Sequence, residues 1–142
     1  MSRRIVTIGD ITVGLKRSHR AEMTQEMINR YAELTGDFNP VHVSPEYAQT
    51  TRFGRCIAHG MLTASLVQVP LTAMTTPGGV STVYHIELLG PVHAGDKLEV
   101  VAECIEVNDE LRRAKFRLEV VAGGSAKVLS GEAEIAFPRV HW

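Results

Sequence analysis

The seven residues Gly36-Asp-Phe-Asn-Pro-Val-His42 hold the densest set of groups able to do chemistry in this chain. Asp37 and His42 stand five positions apart across a loop that contains Pro40. A carboxylate and an imidazole on one tight loop can converge on a single water or substrate atom. General acid–base catalysis requires that arrangement, and each well-placed group contributes about 10²–10⁴ in rate. Asn39 can hydrogen-bond its own loop and hold the geometry. Taken alone, the spacing is a weak signal that more often marks a carboxylate capping a backbone amide beside a surface imidazole.

A second cluster, Ala58-His59-Gly60-Met61, opens a long apolar run. The first amides of a helix have no intrahelical partner, and with the helix dipole they favour negative charge. Gly60 has no side chain, so a ligand carbonyl can approach its N–H closely. This is the layout of an oxyanion hole, in which one donor is worth about 10²–10³ in rate. The same residues also describe a closely packed helix start, with His59 as its cap or as a satisfied, partly buried histidine.

Other reactive side chains lack partners in sequence. His85 and His93 read as a sheet-face and a turn histidine, and His19 and His141 have no neighbours of matching chemistry. No His-x-x-x-His or His-Glu-x-x-His spacing occurs, so no metal site is expected. Gly78-Gly79 reads as a turn rather than a phosphate cradle, and there is no Gly-x-Ser-x-Gly elbow. Ser65 lies within the apolar run and is expected to bond back to the preceding turn. Cys56 and Cys104 are far apart and read as reduced core residues. Arg52 with Arg55 reads first as solvated surface charge, with a local functional basic patch as the alternative. With 15 Lys and Arg against 16 Asp and Glu, the formal net charge of −1 offers no footprint for nucleic acid or an anionic membrane. No signal peptide or span of about 20 apolar residues is visible, so a soluble, cytoplasmic protein is expected.

The elements that must position these groups follow from periodicity and punctuation. The 142 residues fit one domain, 1–142. Residues 5–22 read as extended, with turns at Gly9-Asp10 and Gly14. Thr24 is placed to cap a helix whose buried stripe is Met27, Ile28, Tyr31 and Leu34, and Gly36 to end it. Residues 36–42 then read as a loop. Ser44-Pro45 opens a short helix, and residues 51–57 look irregular. From Gly60 to about Ala73 almost no polar face remains, which predicts a buried helix, ended or kinked by Pro70. Strands are predicted at 81–89, 97–107, 111–122 and 126–137, joined by Gly or Asn/Asp turns as an antiparallel meander. The sum is an α+β domain with the sheet around the apolar helix.

The two clusters together carry a resemblance. Tyr-Ala-Glu-Leu-Thr-Gly-Asp-Phe-Asn-Pro-Val-His (31–42) is followed by Pro45, Ala48, Phe53-Gly54 and Ile57-Ala58-His59-Gly60-Met61-Leu62. This combination resembles the MaoC-like family of dehydratases, best known for the R-specific enoyl-CoA hydratases. The specific motif covers residues 31–66, and a weaker match in length and strand pattern covers most of the chain. The resemblance implies a hot-dog fold, with residues 58–73 as a long buried central helix wrapped by a curved antiparallel sheet. It implies a homodimer or larger homo-oligomer, with an acyl-thioester tunnel near the dimer interface. Asp37 and His42 match the family's catalytic pair, and Gly60 the position whose amide binds the thioester carbonyl. Asn39 matches a supporting loop residue, and His59 is a further supporting candidate. The implied reaction is hydration of 2-enoyl thioesters of coenzyme A or acyl carrier protein to 3R-hydroxyacyl thioesters, or its reverse, with no cofactor or metal.

Gln68, about two turns beyond Gly60, is the candidate residue for shaping the acyl pocket. Two other readings stay open at this point. A hot-dog thioesterase would use a carboxylate on the central helix, and residues 60–73 contain no Asp or Glu. A non-catalytic hot-dog subunit that binds acyl thioesters would be expected to lose Asp37 or His42, and both are present.

Overall fold

A computed structural model of the chain describes residues 3–140. A 3₁₀ turn at Ile8–Asp10 leads into β1 (Lys16–Glu22). Three short helical pieces follow: α1 (Gln25–Thr35), α2 (Pro40–Val43) and α3 (Pro45–Gln49). Next come α4 (Gly60–Ser65) and α5 (Gln68–Thr75), then β2 (Val80–Leu88), β3 (Lys97–Asn108), β4 (Arg113–Ala122) and β5 (Ala126–Ala136).

The strands form one antiparallel sheet in the order β1-β3-β4-β5-β2. Only β3, β4 and β5 make the expected meander. β2 precedes β3 in sequence but pairs with β5 at the opposite edge. The segment 89–96 must therefore cross the end of the sheet. It does so by bonding to the stretch before α4. The Ala58 N–H donates to the Val92 carbonyl at 2.7 Å, and the Ala94 N–H to the Cys56 carbonyl at 3.0 Å.

Period-two alternation buries one sheet face. Leu98, Val100, Ala102 and Cys104 of β3 point inward with Ala114, Phe116, Leu118, Val120 and Ala122 of β4. Leu62 and Ala64 of α4, Leu71 and Met74 of α5, and Val67 between the two helices join them in one core cluster. A bulge in β5 where Val120 and Val121 change partners breaks the alternation, so neighbouring Val128 and Leu129 are both buried. Gly123 (φ 61°) and Gly124 (φ 83°) turn β4 into β5 with two positive φ values, which glycine adopts without a Cβ clash.

Several expectations are corrected. The apolar helix is two pieces, because Pro70 has no N–H for the Leu66 carbonyl. The turn tightens there, and the Val69 N–H donates to Leu66 three residues back at 3.1 Å. That helix is also not buried all round, since Met61 is 68% and Val69 41% exposed. Leu34 stands in solvent, and Ile28 and Ala32 are the fully buried residues of α1. The third predicted strand begins at Arg113 rather than residue 111. Arg112 has φ 52° and belongs with the exposed Leu111 to the turn. His141 lies outside the described residues.

Candidate active site

The loop after α1 is built by capping. The Thr24 hydroxyl accepts from the Met27 N–H at the start of α1, and Gly36 ends it in the left-handed region (φ 84°). The chain then turns on itself. The Asp37 carboxylate accepts from the Asn39 N–H at 3.2 Å, and the Asn39 side-chain carbonyl accepts from the Val41 N–H at 3.3 Å. Asn39 is thus the N-cap of α2, with Pro40 at the first helical position. The stretch expected as a loop to residue 42 therefore closes with a helical turn that carries His42. Gln25 ties this turn to α1 by donating to the His42 carbonyl at 2.9 Å.

His42 is buried, and its Nδ1 lies 2.8 Å from the Ile57 carbonyl oxygen. A carbonyl only accepts, so Nδ1 carries the hydrogen and Nε2 presents a lone pair. His59 is also buried. Its Nε2 lies 2.9 Å from the Asp37 backbone carbonyl, and by the same reasoning carries the hydrogen. His59 does not cap α4 with its side chain. Its ring instead lies 4.0 Å from that of His42 and 4.7 Å from that of Tyr31. The His59 Nδ1 atom is buried without a hydrogen-bond partner among the described residues. Asp37, His42 and His59 bring one ligand-type atom each within 4.8 Å of one another. Asp37 is the exposed member of the three.

Gly60 is the first residue of α4, so its N–H has no intrahelical acceptor. It lines a cavity of about 360 Å³ together with His42, Phe53, Thr63, Leu88 and Val92. A Cβ on Gly60 would fall 2.2 Å from Leu88 Cδ1, so glycine is required by close approach. The bulged Val128 forms part of the same wall, as do Leu89 to Pro91 of the crossing segment. A larger depression of about 430 Å³ on the β1–β3 edge is lined by Arg20, Glu22, Lys97 and Glu99 and contains none of the candidate groups.

The structure thus brings together Asp37, Asn39, His42, His59 and Gly60, from two loops and two helix starts. Gln68 is not with them. It is exposed at the start of α5 and lines a separate groove with Thr72, Ser81 and Tyr84. The walls contributed by Leu88, Leu89 and Val92 escaped sequence reasoning, for which the Gly90-Pro91 break was the available signal. Ser65 bonds back to the Leu62 carbonyl at 2.6 Å, as expected. Cys56 and Cys104 are free and buried, and burial pushes both thiols up, away from the reactive thiolate.

Comparison with known proteins places the chain in a family. The family model described as MaoC like domain matches residues 10–124. The chain belongs to the MaoC-like family. Its MaoC-like domain is 36% identical over 137 residues to a 3-hydroxybutyryl-CoA dehydratase of Methylorubrum extorquens, covering 96% of this chain and 87% of that one. It is 33% identical to an (R)-specific enoyl-CoA hydratase of Aeromonas caviae, covering 97% of this chain and 100% of that one. Among solved structures, the unliganded R-hydratase PhaJ1 of Pseudomonas aeruginosa superposes with a TM-score of 0.87 at 30% identity, covering 94% of this chain and 86% of that one. The MaoC-like domain is accordingly an α+β hot-dog fold. Among the described residues, no helix is long and apolar enough to cross a membrane.

Proposed function

We propose that this chain is a hydro-lyase that adds water R-specifically to 2-enoyl thioesters, and removes it from 3R-hydroxyacyl thioesters. The observation that carries the reading is the fixed tautomer of His42. Its Nδ1 hydrogen is committed to the Ile57 carbonyl, and its Nε2 lone pair is left as a base in the cluster with Asp37. His42 also lines one cavity with Gly60.

The thioester carbonyl accepts from the Gly60 N–H, which draws electron density from the double bond and makes C3 electrophilic. Water sits between the Asp37 carboxylate and His42. His42 Nε2 takes a proton from it as its oxygen bonds to C3, and negative charge moves to the thioester oxygen. Asp37 orients the water and relays the proton to C2, leaving both groups as they began. Dehydration is the same path reversed. The substrate thiol is coenzyme A or acyl carrier protein, and the reaction calls on no cofactor or metal.

The active form in this reading is a homodimer. Exposed Met61 and Val69 on the helices, with Val80, Tyr84 and Leu88 on the edge strand β2, leave apolar surface and an unpaired strand edge for a second copy. The two free thiols fit the cytoplasm.

The test is loss of enoyl absorbance on mixing the protein with crotonyl-CoA, followed by oxidation of the product with 3R- or 3S-specific hydroxyacyl-CoA dehydrogenases. Turnover giving only the 3R product is expected. A folded dimer that hydrates no enoyl thioester of any chain length would sink the reading.

A further inference from the structure

We propose that Arg52 is a binding residue for a phosphate on the thiol carrier of the substrate, set at the rim of the catalytic cavity. The inference rests on the hydratase reading above and adds to it a residue for the non-reacting end of the substrate.

Two arginines flank Phe53 and Gly54, and the structure treats them differently. Arg55 is neutralised by Asp96, with Nη2 at 3.3 Å from its carboxylate. Arg52 has no ion pair and no hydrogen-bond acceptor among the described residues. Its guanidinium lies over the Phe53 ring, with Cζ 4.8 Å from the centroid. Such a contact holds the planar group in place while leaving its edge donors open. Arg52 is exposed, yet it lines the same cavity as buried His42 and as Gly60, and no carboxylate lines that cavity. The cleft therefore carries one unneutralised cation against apolar walls, on a protein whose formal net charge is −1. A cleft charged with one sign focuses its field on an incoming ligand of the opposite sign.

The reacting end of an enoyl thioester is neutral, so the chemistry needs no such cation. The anionic part of the substrate lies at the other end of the pantetheine arm, as phosphate. That arm is a flexible chain, able to run from Gly60 along the cavity to its rim. Arginine's fork of donors matches phosphate oxygens. The contact is made equally before and after the chemical step, so it should act on binding rather than on turnover.

The experiment compares wild type, Arg52→Ala and Arg52→Lys on crotonyl thioesters of pantetheine, 4′-phosphopantetheine, dephospho-coenzyme A and coenzyme A. For an exposed charge-assisted contact, Arg52→Ala should raise KM for crotonyl-CoA about tenfold with kcat within about twofold. Arg52→Lys should recover part of the loss, and added salt should weaken wild type more than Arg52→Ala. Crotonyl-pantetheine, which has no phosphate, should be hydrated equally by all three proteins. Loss beginning with phosphopantetheine supports the phosphate shared by coenzyme A and acyl carrier protein. Loss beginning only with coenzyme A supports its 3′-phosphate. An unchanged KM for crotonyl-CoA in Arg52→Ala, or equal losses on the pantetheine and coenzyme A thioesters, would overturn the proposal. Wild-type hydration of crotonyl-pantetheine tests the hydratase reading separately, since Arg52 has no part in it.

Discussion

The imidazoles of His42 and His59 lie with their centroids 4.0 Å apart and their planes tilted by 32°. His59 also donates to the backbone carbonyl of Asp37, so one buried ring braces both members of the proposed acid–base pair. His59→Phe keeps an aromatic ring beside His42 and removes the donor. We expect it to cost about 1 kcal/mol of stability and to lower kcat about tenfold by letting Asp37 drift. The measurements are a denaturation midpoint and steady-state kinetics on crotonyl-CoA. Wild-type kcat in that variant would leave His59 with packing alone.

Asp37→Asn and His42→Ala should each lower kcat by at least about a hundredfold with the fold intact. Because both groups act on one water, the double variant should be little worse than either single one. Circular dichroism checks the fold, and the enoyl assay reads the rates. Additive losses would mean that the two residues work independently.

Gly60 can be tested for its amide apart from its missing side chain. Gly60→Ala alone would drive a Cβ into Leu88 Cδ1, so it should weaken both folding and turnover. In a Leu88→Ala background that clash is relieved. There, Gly60→Ala keeps the N–H and should retain activity, and Gly60→Pro removes it. His59 before it has ψ 134°, which a following proline accepts. The proline variant should lose about 10²–10³ in kcat relative to the alanine variant. Equal activity of the two would place the thioester oxygen elsewhere.

Asn39 caps the turn that carries His42. Asn39→Ala should destabilise the protein by about 1 kcal/mol and reduce kcat several-fold, and Asn39→Asp should restore the cap. Urea titration gives the first quantity and the enoyl assay the second. A stability loss with unchanged kcat would show that His42 is held by its Ile57 and Gln25 contacts alone.

The residue types and spacing at 36–42 and 58–61 were enough to nominate Asp37, Asn39, His42, His59 and Gly60. Local rules read the caps at Thr24, Ser44 and Gly36 correctly, because a cap depends on a few neighbouring residues. Local rules failed where long-range contacts decide. Leu34 continued a helical stripe and is exposed because α1 buries only Ile28 and Ala32 fully. The apolar run at 60–73 read as buried all round, but part of it faces outward.

What the sequence determined by itself was the fold class and the position of most strands, since these follow from periodicity and caps, and the family signature nominated the candidate site residues. Only the tertiary structure decided how Asp37 and His42 are held. The tautomer of His42 depends on a carbonyl fifteen residues away, and the brace on Asp37 on a histidine twenty-two residues away. The cavity wall depends on β2 pairing with β5 rather than β3, which sends residues 89–96 across the sheet end. Those contacts are set by which surfaces meet, and local spacing does not encode that meeting.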